Sequence, residues 1–297
     1  EQFKPVLIIV GAGGNNVIEK TFINAAIILK INSFALIDNW CWPEDRFIVK
    51  EASTNKMKYQ IPDMIGVPTQ SSYDELLLNN EFKNVKTVVS GMPHVDNIRH
   101  EIQKKTESDK RMILNKLGIE GNTKVISFFS APVEEESLEK VGYTESSILD
   151  TLTKSITDVS SKLNYNIFLA IKPHPSFDYT HLLKLNNKDN VKIVVDIDND
   201  DIMYISDAVF GMTTTVLYES SICNIPSYSL QIGLNQRTKN YFATSEFFDC
   251  ITTREDLERI LFDIAKGSAH NKLFSQDNGL ANSSGKIVDQ IVSNFNI

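Results

Sequence analysis

Residues 6–16, Val6-Leu7-Ile8-Ile9-Val10-Gly11-Ala12-Gly13-Gly14-Asn15-Asn16, decide the fold. The unbroken apolar run at their start is the kind found in strands covered on both faces, which implies a parallel sheet. The glycines then turn the chain into a helical pattern from Val17 to about Leu29, and Ser33 to Ile37 reads as the next strand, closing one βαβ unit. The alternation continues. A polar stretch from Asn39 to Gln60 leads to the strand-like Met64 to Val67, a helix through Tyr73 to Leu78 and a strand at Val85 to Val89. Asp96 to Leu117 is charged and helix-compatible, and reads as one interdomain helix.

A second α/β series opens at Lys124 to Phe129. It runs through a helix from about Thr144 to Leu163 and strands at Ile167 to Ile171, Val191 to Val195 and Ala208 to Phe210. Thr214 to Cys223 reads as a helix leading to Ser227 to Leu230, and Arg254 to Ala265 and Ile287 to Phe295 are helical by their 3.6-residue period. The expected architecture is α/β, two Rossmann-like doubly wound parallel-sheet domains, residues 1–105 and 106–297, with a cleft between them. Ligand chemistry then belongs on loops after the carboxyl ends of strands.

Composition narrows the partners. The chain has 297 residues, 42% apolar and 23% charged, which excludes disordered, collagen-like and coiled-coil classes. A formal charge of -8 argues against nucleic acid, because phosphate-backbone affinity comes from clustered Lys and Arg. Cys41, Cys223 and Cys250 have no metal-type spacing and fit reduced thiols, so zinc is not indicated; no other metal and no cofactor is expected either. No apolar run reaches membrane-spanning length and no signal stretch opens the chain, which is read as cytoplasmic. It begins at Glu1 without Met and enters a strand almost at once, so the first domain is read as lacking a preceding segment.

Lys172-Pro173-His174-Pro175 follows the apolar strand directly and sets an ammonium and an imidazole at the carboxyl edge of the second sheet. The prolines hold the loop extended, and a histidine there can donate a hydrogen bond to phosphate; the plainer reading is a rigid turn with a surface histidine. Gly211-Met212-Thr213-Thr214-Thr215 follows the next strand and opens a helix, converging hydroxyls and free backbone N–H groups, either as an anion site or as an ordinary cap. Glu219 on that helix could accept hydrogen bonds from a ribose diol. The acids from Asp198 to Asp201 read as helix capping rather than a metal site. In the first half, Gly11, Gly13, Gly14 and Asn15 allow close backbone approach to a ligand but miss the G-x-G-x-x-G spacing. Glu19 and Asp38 are the carboxylates best placed to serve as a general base, and Trp40 lies in a loop suited to sugar stacking or to packing.

On these motifs the chain resembles the GT-B class of nucleotide-sugar glycosyltransferases, and more narrowly bacterial surface-polysaccharide transferases of capsule or lipopolysaccharide type. The carriers are Lys172 to Pro175, Ser206-Asp207 with Gly211 to Thr215, Leu217-Tyr218-Glu219-Ser220 with Asn224-Ile225-Pro226, and Gly91-Met92-Pro93-His94-Val95-Asp96. The resemblance to bacterial sialyltransferases implies that His174, Thr213, Thr214 and Thr215 hold the donor's phosphate and that Glu219 holds the ribose; Lys172, Pro173 and Gly211 are read with them as donor-binding, and His174 as catalytic. Threonines stand where the sialyltransferase pattern has serines. It further implies a CMP-, CDP- or UDP-linked donor, a glycan or lipid-linked acceptor, and a place at the inner face of the membrane. Similar motifs occur in polyol-phosphate transferases of teichoic-acid type and in UDP-N-acetylglucosamine 2-epimerases, and a nucleotide-sugar-binding module is the non-enzyme alternative.

Overall fold

The computed structural model describes residues 4–13, 17–50, 55–131, 138–187, 190–235, 240–272 and 282–295. The chain divides into two compact units, one of residues up to Asp96 with the C-terminal helix, the other running from Asn97 to Asp277.

The first unit is built on a parallel sheet of β1 (Leu7–Ala12), β2 (Asn32–Ile37), β5 (Met64–Val67) and β6 (Lys86–Val89), hydrogen-bonded in that order. Helix α1 (Val17–Leu29) makes the first crossover and α2 (Gln70–Leu76) a later one, the latter started by Thr69 accepting from Ser72 N. The polar stretch contains structure that its composition hides. A 3₁₀ turn at Glu44–Phe47 buries Phe47 against Phe82, and β3 (Ile48–Lys50) pairs antiparallel with β4 (Met57–Tyr59).

The sequence reading puts residues 278–297 in the second domain. Instead α10 (Ser283–Phe295) turns Ile287, Ile291 and Phe295 onto Phe34, Met64 and Leu36 of the first sheet. An apolar stripe is placed by whichever sheet face it can cover, not by its place in the chain. Its start is tied to Asp96, which accepts from Ser284 N at 3.2 Å.

Asp96 to Leu117 is two helices rather than one, α3 (Pro93–Lys104) and α4 (Glu107–Leu117). The 3.6-residue pattern runs through the joint, but Thr106 and Asp109 form a reciprocal capping box that starts the second helix afresh.

The second unit has a parallel sheet in the order β12-β11-β10-β7-β8-β9, the doubly wound order in which the first strand lies centrally and the chain reverses direction beside it. Its strands are β7 (Lys124–Phe129), β8 (Ile167–Lys172), β9 (Val191–Ile193), β10 (Ala208–Gly211), β11 (Ser227–Leu230) and β12 (Asp249–Ile251). Burial along β7 and β8 is nearly continuous because helices cover both faces. After the short α5 (Leu138–Val141), one face of the core joins Ile126, Phe128 and Phe210 to Ile148, Leu152 and Ile156 of α6 (Glu145–Leu163) and Leu257 and Leu261 of α9 (Arg254–Lys266). Asp207 pins the start of β10 to β7, accepting from Lys124 Nζ at 2.8 Å and Val125 N at 2.9 Å. No described helix is long and apolar enough to cross a membrane.

Candidate functional site

Parallel register fixes where the two predicted loops emerge. Gly211 pairs with Phe129, and Phe129 with Lys172, so the ends of β10, β7 and β8 lie level. The His174 loop and the threonine loop therefore leave the same sheet edge two strand spacings, roughly 10 Å, apart. Between them lies the switch point of the sheet, where ligands of open α/β folds bind.

His174 lines a hollow of about 520 Å³ together with Lys172, Pro173, Pro175, Phe177, Tyr179, Val195, Asp198 and Asn199. Its ring is half-buried and stands edge-on to Phe177 at 5.0 Å. Ser176 N donates to His174 Nδ1 at 3.2 Å, so the neutral ring carries its proton on Nε2 and presents that N–H as a donor. Lys172 does different work from the phosphate contact expected of it. Its ammonium donates to Val195 O at 3.2 Å and Ile197 O at 2.5 Å, strapping the β8 loop to the loop after β9. Burial pulls that ammonium below its ordinary pKa, against the nearby Asp198 and Asp196.

Gly211 to Thr215 do not line this hollow. Ser229 Oγ donates to Met212 O at 2.6 Å and fixes the turn, while Thr213 is exposed and Thr214 and Thr215 are half-buried. The helix begins two residues later than expected, as α8 (Val216–Ile222), with Thr215 at its cap position in helical backbone geometry and making no side-chain cap bond. Thr214 Oγ1 accepts from Val216 N at 3.4 Å. Glu219 is buried on α8; burial above all, with the nearby Glu219 charge adding to it, raises the pKa of Asp200 and of Cys223.

Gly211 is a close-approach position. A Cβ there would lie 2.5 Å from Thr214 Cγ2 and 3.2 Å from Phe129 O. Threonine is stiff at χ1, so Gly211→Ala must move Thr214, at an overpacking cost of about 1–3 kcal/mol. We expect a folded variant with a lowered denaturation midpoint; an unchanged midpoint would show that the loop yields freely.

A buried network that the sequence reading missed supports the end of β7. Ser130 Oγ donates to Glu145 Oε1 at 2.5 Å, and His181 Nε2 lies 3.0 Å from Glu145 Oε2. It joins the central strand to α6 and to the 3₁₀ segment Thr180–Asn187 behind the His174 loop. His181 is the exposed, outer member, with Glu145 only 3% exposed.

In the first unit, Glu19 Oε2 accepts from Gly13 N at 3.1 Å, and Gly11 leaves room for the same carboxylate, since a Cβ there would lie 3.0 Å from Glu19 Oε1. The glycine turn is thus held by its own helix. Gly14 and Asn15 lie outside the described residues. Asp38 is exposed and paired with Arg46 at 3.4 Å. Trp40 is buried at 4%, its carbonyl accepting from Ser72 Oγ, which is a packing position rather than a sugar platform.

Among the described residues no group of three or more His, Cys, Asp or Glu is placed to hold a metal ion. None of the three cysteines is in a disulfide; Cys41 is buried, and burial pushes the Cys223 thiol up to about 12 and the Cys250 thiol up to about 11. Native protein at pH 8 should therefore react slowly with thiol reagents and denatured protein fast; rapid alkylation of a native cysteine would contradict this burial. Unfolded thiols lose their protons first, so stability should fall as pH climbs past about 8.5.

No family model matches the chain, and no curated protein matches it. Solved structures do. A Listeria monocytogenes protein provisionally assigned as a UDP-N-acetylglucosamine 2-epimerase superposes with a TM-score of 0.69 at 16% identity, over 98% of this chain and 75% of that one. The Neisseria meningitidis UDP-GlcNAc 2-epimerase bound to UDP-GlcNAc gives 0.65 at 17% identity, over 98% and 77%. The wall teichoic acid polymerase TagF, in a crystal soaked with CDPG, gives 0.54 at 13% identity, over 97% and 71%. The chain thus has an α/β, GT-B-like fold with two Rossmann-like parallel-sheet domains.

Proposed function

We propose that this chain is a glycosyltransferase of bacterial surface-glycan biosynthesis that moves a sugar from a nucleotide-activated donor to an acceptor hydroxyl on a glycan or lipid-linked glycan. The observation that carries the reading is His174: held by two prolines at the carboxyl end of β8, with Ser176 on Nδ1, it offers a preorganised Nε2–H beside a hollow of ligand size. As the donor's glycosidic bond breaks, negative charge grows on the leaving phosphate, and a donor fixed in advance stabilises that charge without reorganisation. Thr213 and Thr215 supply further hydroxyls at the same sheet edge, and Glu219 the carboxylate for the ribose. No metal or cofactor is required by this scheme. Glu19 or Asp38 would take the acceptor's proton, each first leaving the partner it now holds.

A second reading is a nucleotide-sugar epimerase, the activity named for two solved structures of similar fold. Incubation with CMP-, CDP- and UDP-linked donors separates the two. Acceptor-dependent release of free nucleotide supports transfer, and an isomerised sugar still joined to its nucleotide supports epimerisation. Transfer of a polyol phosphate from CDP-glycerol would move the assignment to the teichoic-acid type. Saturable binding with no turnover would reduce the chain to a binding module.

A further inference from the structure

We propose that the hollow beside His174 is the base pocket of the donor nucleotide, and that Asp198 selects a base carrying an amino group on its pairing edge, cytosine or guanine, over uracil. The proposal rests on the nucleotide reading above and adds to it the identity of the base.

Three features of the hollow carry it. Its volume, about 520 Å³, falls in the range of small-molecule sites. Two aromatic rings, Phe177 and Tyr179, remain 49% and 37% exposed at its wall. Apolar rings left in solvent beside polar groups are the surface on which bases stack, since every base has a π-face. The third feature is Asp198. It occupies the cap position of α7 (Asn199–Ile205), where an aspartate usually accepts from the helix N–H groups, yet it makes no side-chain cap bond. Its neighbour Asp201 is instead engaged by Lys105 at 2.6 Å, and Asp196 by Lys116 at 3.3 Å.

An ionised carboxylate only accepts hydrogen bonds, so it selects for donors. Cytosine offers its exocyclic amino group. Guanine offers a ring N–H with an adjacent amino group. Uracil presents one N–H flanked by two carbonyl oxygens, which would face the carboxylate with like charge. The same negative charge sets the direction of the ligand: the diphosphate is repelled from the Asp198 end and drawn toward His174 and the threonine loop. Asn199, with both donor and acceptor on its amide, can complete the base edge next to Asp198. Lys172 holds the two loops that form the walls together, so the pocket is shaped before ligand arrives.

The test is calorimetric titration of the full chain with CMP, CDP, GDP and UDP, which needs no acceptor and no turnover. A good polar pair to a base edge discriminates by about tenfold or more, so CDP or GDP should bind at least about tenfold tighter than UDP, and the two arms identify which base is taken. Asp198→Asn should erase that preference, chiefly by weakening the favoured nucleotide. Asp196→Asn, on an exposed pair, should leave it intact. His174→Ala should weaken all four by a similar factor, because it acts on phosphate. UDP binding as tightly as CDP and GDP, or a preference that survives Asp198→Asn in a folded protein, overturns the base assignment alone. Failure of all four nucleotides to bind overturns the nucleotide reading, and this proposal with it.

Discussion

His174→Ala should lower donor turnover by about 10²- to 10³-fold, the loss that follows removal of one preorganised donor from a site where charge develops. Stability should change little. The ring is half-buried beside the hollow, and its packing partner Phe177 is itself half-exposed. The one internal bond lost is that from Ser176 N, an exposed backbone group that water can satisfy. His174→Gln should keep part of the activity, because its amide N–H can donate where the ring N–H does. Full turnover in a folded His174→Ala variant would remove the histidine from the chemistry.

Phe210→Ala should be the most destabilising of the substitutions considered, by about 3–5 kcal/mol in the transition of the second unit. Phe210 is 0% exposed and lies in register between Phe128 and Tyr228, stacked on the latter at 5.3 Å. It therefore ties three adjacent strands on one face, and its removal leaves a cavity among the packed side chains of that core. A loss of this size is a large share of ordinary domain stability. Because Gly211 to Thr215 continue directly from β10, nucleotide affinity should fall as well, whereas His174→Ala lowers affinity with the midpoint nearly unchanged. Denaturant unfolding followed by nucleotide titration distinguishes them, and a shift under about 1 kcal/mol for Phe210→Ala would contradict this packing.

The strands of the second sheet are legible in the sequence because burial on both faces demands continuous apolar runs, as in Val125 to Phe129 and Ile167 to Ile171. Strand β12 is not, since Asp249-Cys250-Ile251 at a sheet edge carries no such run. The β3–β4 hairpin hides for the same reason, with Lys50 and Lys58 in its strands. The break before α4 is marked in the sequence only by Thr106 and Asp109, a cap that the 3.6-residue period running through it conceals. At the site, His174 is legible because two prolines after a buried strand leave its loop little freedom. Lys172 is not: a long side chain goes where tertiary neighbours offer acceptors, here the carbonyls of Val195 and Ile197. The Ser130–Glu145–His181 network joins residues 15 and 36 positions apart, so no local pattern announces it.

The central claim is that the edge of the second sheet holds a nucleotide's phosphates through His174 and the threonine loop. A crystal structure of the chain with the tightest-binding nucleoside diphosphate tests it most directly. Phosphate oxygens within hydrogen-bond distance of His174 Nε2, with the Gly211 to Thr215 segment closing on the same diphosphate, is the predicted result. A nucleotide bound elsewhere, or one whose phosphates point away from that imidazole, would contradict it.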